Sequence, residues 1–547
     1  MIRTSRFPYI KKCTLCLKIQ KPRSQYSVAA VASKPLHKDV EIRDVFNGRS
    51  ISLQKGKAIG GLFGNKYLRT PEGLEKFTDI SIDRAKRLVE RVVSDKSPES
   101  RRLLVKNLDS ISDILCSVID LAEVVRTLHP DTKFNNAANL AHSRMFTFMN
   151  MLNTNVELFE ALENVMNDED MVSSFSREEK AVAEVLYRDF KKSGINMPEN
   201  TRRRFVDLSN DVADLGTRFV SGTRPASPTI ELRVSDLEGM PSIYFSKFIR
   251  GDRVFLPSSG GLTQLALKVV QKSEIREIIY RTSVTGSKEQ EVLLHKMLEA
   301  RQELASLVGE SNFGSMTLSD KMASSSESVF AFLGHLSKAN KTKAQAELSI
   351  LSADKEKLEG GPVNIWDREF YVNRYLRKHA SFDRTDVSSY LSVGTVMQGL
   401  SRLFDALYGI KFIPVETSSG EVWDSSVKRL DVYCERDGHI GTIYCDLFQR
   451  QAKNANPAHF TIRCSRRVDN DDMGVVSIEE GETTFIRNSK GEVYQIPIVM
   501  LVCGFLSAGK NQVNTLSWHE VTTLFHEMGH ALHCKFISNP KVKLIFF

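Results

Sequence analysis

Two histidines near the end of the chain have the spacing of a metal-binding pair. His526, Glu527 and His530 form the pattern His-Glu-x-x-His. On a helix, residues four positions apart differ by about 40° around the axis and by one turn along it, so both imidazoles can face one cation. Zinc suits two imidazoles, and Glu527 can reach the open coordination position, where a water molecule needs a base. The pattern predicts a hydrolytic zinc site with Glu527 as that base.

A helix must hold this pair, and the sequence predicts where that helix begins. Ser517 and Glu520 match a capping box, in which each side chain accepts a hydrogen bond from the other residue's backbone amide. We predict that one face of the helix is buried and carries Val521, Leu524, Phe525, Met528 and Leu532. This leaves the two histidines and Glu527 on an adjoining, more polar face, where the small residues Gly529 and Ala531 leave room for a metal ion.

The residues after the pair distinguish among classes of zinc peptidase. A metzincin requires Gly at position 533 and His at position 536, but this chain has His533 and Phe536, which excludes that class. His533 lies near the same face as the pair, about 7.5 Å further along the axis than the midpoint of His526 and His530. We therefore expect His533 to support the site or to pack the helix, and not to bind the metal directly.

Helical periodicity dominates the chain before the metal pair. From about residue 44 to residue 250, apolar residues recur at steps of three and four, and the clearest stripe is Phe205, Leu208, Val212, Leu215 and Phe219. Between 225 and 261, Pro, Ser and Gly become frequent, which predicts a connection between two bodies with a boundary near Leu262. The helical pattern then resumes and continues to about residue 407.

From Gly438 onward the pattern changes to short β-branched or aromatic segments bounded by Asn, Asp and Gly. We predict strands at 440–448, 460–464 and 493–501. The fold class is therefore mostly α, with a small β-sheet next to the His-Glu-x-x-His helix. We predict three parts in the chain, namely a leader at 1–38, an N-terminal helical domain at 39–261 and a catalytic domain at 262–547.

The positive charge of the chain is concentrated at its start. The formal net charge is +8, but residues 1–38 hold nine Lys and Arg and no acidic residue, so +8 less nine leaves −1 for the remainder. A nearly neutral body does not favour nucleic acid as a partner. An Arg- and Lys-rich leader with serines and no acid is typical of a mitochondrial transit peptide, and a disordered basic tail is the alternative.

Composition excludes several other classes of protein. The sequence contains no run of about 18 apolar residues, so we predict that the chain has no membrane-spanning helix. Eight cysteines at irregular separations do not form a disulfide framework and suggest a reducing compartment. Cys13 and Cys16 form a lone CxxC inside the leader, and chance explains it better than a second metal site does.

The segment FHEMGHALH at 525–533 resembles the thimet oligopeptidase family of zinc metallopeptidases. The resemblance runs from about residue 45 to about His533, and it is closest to the mitochondrial member of that family. The segments that carry it are GLFGNKYLRTPEG at 61–73, LNTNVELFEAL at 152–162, GEVWDSSVKRL at 420–430 and GTIYCDLFQRQAKNANPAHFTIR at 441–463.

This resemblance implies a helical fold with a deep channel between two halves, which admits extended peptides and excludes folded proteins. The implied substrates are extended peptides or the N-termini of imported precursor proteins, from which the mitochondrial member removes a short peptide, typically of eight residues, in the matrix. It implies one zinc ion held by His526 and His530, with Glu527 as the catalytic residue. The strands before the metal helix could hold a substrate backbone along an edge, or could simply support that helix. We expect a monomer.

The family takes its third zinc ligand from a Glu some 25 to 30 residues after the first histidine. Only residues 531–547 follow His530, and none of them is Asp or Glu. We therefore expect the third ligand to be absent from this chain, with weak zinc binding and little activity as the result. Three interpretations stay open: a matrix metalloendopeptidase in incomplete form, a non-catalytic peptide-binding or regulatory relative, and a helical scaffold with an accidental His-Glu-x-x-His.

Overall fold

The computed structural model describes most of the chain from Asp39 to Lys535. The described residues are 39–48, 54–55, 60–221, 229–319, 321–323, 325–379, 384–435, 438–450, 453, 457–468, 485–487, 491, 493–506 and 513–535. The predicted leader at 1–38 and the pair of Cys13 and Cys16 lie outside the described residues. In the described part, no helix combines the length and the apolar character needed to cross a membrane.

The first part of the chain is a helical bundle, as its periodicity predicts. Its elements are α1 (Asp39–Phe46), β1 (Gln54–Lys55), α2 (Pro71–Ser94), α3 (Pro98–Leu128), α4 (Thr132–Asn153), α5 (Val156–Met166), α6 (Glu169–Ser173), α7 (Arg177–Lys192) and α8 (Glu199–Ser221). Local chemistry fixes the starts of these helices. Helices α2 and α3 begin with Pro behind the capping side chains of Thr70 and Ser97, and Ser176 with Glu179 forms a capping box at α7.

The middle part contains a small sheet followed by further helices. Its elements are β2 (Thr229–Arg233), β3 (Ile249–Arg250), β4 (Arg253–Pro257), α9 (Gly261–Val269), α10 (Ser273–Val284), α11 (Lys288–Leu307), α12 (Phe313–Leu318), α13 (Ser326–Leu358), α14 (Arg368–His379), α15 (Arg384–Tyr390) and α16 (Val393–Tyr408). Strands β2, β4 and β3 form an antiparallel sheet. The prediction that helix extends to residue 250 was wrong, because alternating burial at Ile230, Leu232, Val254 and Leu256 builds strands there.

A larger sheet follows and precedes the last helix. The elements of this part are β5 (Ile410–Glu416), β6 (Lys428–Cys434), β7 (Gly438–Phe448), β8 (Ala458–Arg463), β9 (Arg466–Val468), β10 (Phe485–Arg487), β11 (Val493–Gln495), β12 (Ile498–Phe505) and α17 (Trp518–Lys535). Strands β10, β11 and β9 form a small antiparallel sheet of their own. The strand order of the larger sheet is β1-β5-β6-β7-β12-β8, with β7 and β12 parallel. The sheet therefore begins before Gly438, and the single strand predicted at 493–501 is two strands that belong to different sheets.

Helices cover both faces of this sheet. On one face, Tyr444, Ile462, Met500 and Val502 pack in one core with α2–α5 and α7. On the other face, the alternate residues of the same strands, among them Ile443, Val499 and Leu501, pack with α1, α16 and α17 in a second core. Because successive side chains of a strand point to opposite faces, a strand covered on both sides is apolar throughout, as IVMLVCGF in β12 is.

A buried cluster of charges joins α10, α13 and α14. Asp367, which immediately precedes α14, accepts hydrogen bonds from Lys355 Nζ and from Arg276 Nη2, the latter at 2.7 Å. Arg276 also donates to both carboxylate oxygens of Glu359, at 3.0 and 2.9 Å. The side chains of Arg276 and Asp367 have no exposed surface. The two cations and the two carboxylates have no net charge together, and their mutual attraction offsets the cost of removing them from water.

Gly394 allows α1 to approach α16 closely. A Cβ atom at this position would lie 2.2 Å from the carbonyl oxygen of Arg43 and 2.7 Å from Asn47 Oδ1. We expect Gly394→Ala to lower the free energy of unfolding by about 1–3 kcal/mol, because the helices must move apart. Thermal unfolding measures this loss.

Gly399 gives a matched control on the same helix. A Cβ atom there meets no atom within 4 Å. Gly399→Ala should be neutral or should stabilise the protein by up to about 1 kcal/mol, because Ala favours helix more than Gly does. Equal losses of stability in the two variants would contradict the proposed close contact at Gly394.

Candidate metal centre

Helix α17 begins at the predicted cap. The backbone amide of Glu520 donates to Ser517 Oγ at 3.3 Å, and the backbone amide of Ser517 donates to Glu520 Oε2 at 2.7 Å. The segment before the cap is tied to the start of α16, where Leu516 N–H donates to the Leu391 carbonyl at 2.8 Å and Val393 N–H donates to the Asn514 carbonyl at 2.9 Å. The start of the metal helix is therefore fixed by its own sequence and by α16.

One face of α17 packs on the sheet. Val521, Leu524, Met528 and Leu532 are buried as predicted, and Ala531 joins them with no exposed surface. Phe525 was predicted in this stripe but is 39% exposed. The reason is geometric: the buried positions 521, 524, 528 and 531 already follow the helical repeat, and Phe525 lies at the border of that stripe on the side of the histidines.

The structure brings the two predicted histidine ligands together. The Nε2 atoms of His526 and His530 are 3.0 Å apart, and the two rings stand at 84° to each other with centroids 4.6 Å apart. Two nitrogens that bind zinc at 2.0–2.1 Å in a tetrahedral site lie about 3.3 Å apart. The pair therefore fits two ligands of a zinc ion with little movement, and its donor set of two imidazoles is one that zinc prefers.

Glu527 lies beside the pair and contacts a residue that sequence reasoning missed. Its Oε2 atom is 3.4 Å from Nδ1 of His459, and its side chain is 12% exposed. His459 belongs to β8, and its ring stacks on that of His530 with centroids 4.9 Å apart and planes inclined by 19°. His459 falls inside the segment 441–463, but a single histidine on a strand carries no spacing signal.

Within the part of the chain that the structure describes, no three His, Cys, Asp or Glu side chains form a group that could hold a metal ion. Position 533 belongs to α17, but the side chain of His533 lies outside the described residues. The supporting role of His533 and the absence of a third ligand from this chain therefore stay predictions.

The sheet beneath α17 is held by a buried amine. Lys453 Nζ donates to Asp446 Oδ1 at 2.8 Å and to the carbonyl oxygens of Phe448 and Cys503 at 3.0 and 2.6 Å. Burial lowers the pKa of Lys453, and the charge of Asp446 opposes that shift. These bonds tie the ends of β7 and β12 together.

A large cleft lies elsewhere in the molecule. It has a volume of about 1070 Å³ and lies against α9, α13 and α14, with basic side chains that include Lys268, Arg374, Arg377 and Lys378. Neither histidine of the pair lines it. The size of a cavity therefore does not identify the functional site, whereas the arrangement of donor atoms on α17 does.

Comparison with known proteins agrees with this site. The sequence matches the model of Peptidase family M3 over residues 266–544, a little more than half of the chain, and this match includes α17. The chain belongs to Peptidase family M3.

Similar proteins with a curated name point to one member of that family. Mitochondrial intermediate peptidase of Aspergillus oryzae is 38% identical over 95% of this chain and 69% of its own length. The proteins of that name from Aspergillus fumigatus and Yarrowia lipolytica are 40% and 39% identical over 86% of this chain, and cover 60% and 62% of their own lengths. The predicted resemblance is thus confirmed, and this chain spans some 60–69% of the length of these relatives.

Proposed function

We propose that this chain is a zinc metalloendopeptidase of the mitochondrial matrix, which removes short N-terminal peptides, octapeptides in particular, from imported precursor proteins. The observation that carries the proposal is the approach of His526 Nε2 and His530 Nε2 to 3.0 Å beside the Glu527 carboxylate. The relatives' name, mitochondrial intermediate peptidase, supports a peptide substrate and a mitochondrial location. The nine cations of residues 1–38 support the role of that segment as a transit peptide.

His526 and His530 would hold the zinc ion, and a third ligand would complete the site. Zinc in such a site polarises the carbonyl of the peptide bond and acidifies a water molecule. Glu527 would take a proton from a water molecule on a carboxylate oxygen and pass it to the nitrogen of the leaving amine. His533, two positions before the end of α17, would support the site through packing or a hydrogen bond.

Strand β8 offers a means of holding the substrate. It is the last strand of its sheet in the described order, so one of its edges faces no other described strand. An extended peptide can add to such an edge through backbone hydrogen bonds, which bind peptides with little regard to their sequence. Because β8 also contacts the metal pair through His459, a peptide on this edge would lie near Glu527.

A non-catalytic peptide-binding relative is the second candidate. It is favoured by the ligand set, because the described residues supply a histidine pair but no group of three ligands. Hydrolysis separates the two candidates. A quenched peptide should be cleaved in the presence of zinc if the first proposal holds, and should be bound without cleavage if the second holds.

Zinc binding gives the direct test of the pair. We expect the chain to bind one zinc ion, and His526→Ala to lower the affinity by at least about 100-fold, because loss of a ligand should cost more than the 10- to 100-fold that loss of a supporting residue costs. Competition with a chromogenic chelator measures both affinities. His519→Ala, an exposed histidine in the first turn of the same helix, is the matched control and should bind zinc as the unchanged chain does. A chain that purifies without zinc when zinc is supplied would contradict the proposal.

A further inference from the structure

His459 reaches the metal pair from a different element. Its Nδ1 lies 3.4 Å from Glu527 Oε2, and its ring stacks on His530 at a centroid distance of 4.9 Å. These contacts join strand β8 to two of the three functional residues of α17.

The register of the sheet places His459 on this face. His459 pairs with Leu501 of β12, and directly opposed residues of an antiparallel pair point to the same side of the sheet. Leu501 is fully buried in the core that α17 shares, together with Leu524 and Met528. The position of His459 beside α17 therefore follows from the pairing of β8 with β12 and does not depend on a flexible loop.

The two contacts have different chemical effects. When Nδ1 of His459 carries the proton, it donates to Glu527 Oε2 and leaves the other carboxylate oxygen to accept a proton from water. The stacked ring limits rotation of the His530 imidazole, which aims its Nε2 towards that of His526. Groups that orient a metal ligand or a base in this way tune both metal affinity and rate.

We propose that His459 is a positioning residue of the metal centre, which fixes the carboxylate of Glu527 through its Nδ1 and the ring of His530 through stacking. This inference rests on the proposed zinc peptidase function. It assigns to β8 a second role, because the strand that offers its edge to a substrate backbone also orients the base that acts on that substrate.

Two substitutions separate the two contacts. His459→Asn keeps an N–H donor near the position of Nδ1 but removes the ring, so zinc affinity should fall by about 10-fold. His459→Phe keeps the ring but removes the donor, so zinc affinity should stay within about two-fold while kcat falls by about 10-fold at unchanged KM. The probes are zinc with a chromogenic chelator and a quenched peptide, and His519→Ala is the control.

Each outcome decides the inference. Unchanged zinc affinity in His459→Asn, together with unchanged kcat in His459→Phe, would overturn it. A loss of zinc in both variants as large as that in His526→Ala would make His459 a direct ligand and would also overturn the positioning role.

A metal-free measurement distinguishes failure of this inference from failure of the proposed function. If the unchanged chain binds no zinc, the proposed function fails, but the contact can still be tested by thermal unfolding of His459→Ala, His530→Ala and the double variant. A loss of Tm in the double variant that is smaller than the sum of the single losses supports the contact. Strictly additive losses overturn it.

Discussion

Replacing Glu527 by Gln is expected to lower kcat for peptide hydrolysis by about 10²–10⁴-fold, the usual contribution of a general base. The amide keeps the size of the side chain but cannot take a proton from water. Zinc affinity should change little, because His526 and His530 supply the imidazoles that face each other. Single-turnover cleavage of a quenched peptide measures the first quantity, and competition with a chelator measures the second.

Glu520 is the matched control for this prediction. It is also a glutamate of α17, but its carboxylate accepts a hydrogen bond from the Ser517 amide at the cap, away from the histidine pair. Glu520→Gln should cost some stability through the weakened cap and should leave kcat unchanged. If Glu527→Gln retains full activity, the assignment of Glu527 as the base is wrong.

Removing the charge of Asp367 is expected to lower the free energy of unfolding by about 3–5 kcal/mol. In Asp367→Asn, the two buried cations Arg276 and Lys355 are left with Glu359 as their remaining carboxylate. A net positive charge then stays in a site where Arg276 and Asp367 have no contact with water. Chemical denaturation at neutral pH measures the loss.

Asp354 provides the control, because it also pairs with two cations, Arg374 and Lys378. Its side chain is 21% exposed, and exposed pairs contribute only about 0–1 kcal/mol. Asp354→Asn should therefore cost far less than Asp367→Asn. Similar losses of unfolding free energy in the two variants would show that burial does not determine how much the charge cluster stabilises the protein.

The stability that Asp367 supplies should also depend on pH. Burial alone would raise the pKa of Asp367, but hydrogen bonds from Lys355, Ser273 and Arg276 outweigh it and hold that pKa below its usual value. A carboxyl group whose pKa is lowered by folding stabilises the protein above its unfolded pKa of about 4, and this effect is lost as pH falls through the folded pKa. The difference in stability between the unchanged chain and Asp367→Asn should therefore shrink in acid.

Features that depend on neighbouring residues could be predicted from the sequence. The cap at Ser517, the histidine pair and most of the buried stripe of α17 follow from spacings of three and four, and the structure has them. The exposure of Phe525 could not be predicted in this way, because periodicity gives the centre of a stripe more reliably than its border.

Features that depend on pairing across the sequence were not predicted. His459 meets His530 only because β8 pairs with β12 in a particular register, which no local pattern reveals. The strands at 410–416 and 428–434 were missed because the change of composition becomes clear only after Gly438. The predicted strand at 493–501 runs across Pro497, where β11 ends and β12 begins in another sheet.

The position of α1 has a consequence for the order in which the protein can fold. Ile42, Val45 and Phe46 of α1 are buried in a core whose other buried members lie between Val393 and Leu532, so this core closes a loop of several hundred residues. Helices α2–α5 and α7 contact their neighbours in the chain and can associate soon after each is synthesised. A nascent chain must therefore keep the apolar face of α1 uncovered until α16 and β5, on which α1 packs, have been made. The layer that holds the histidine pair is therefore completed later than the bundle of α2–α5 and α7.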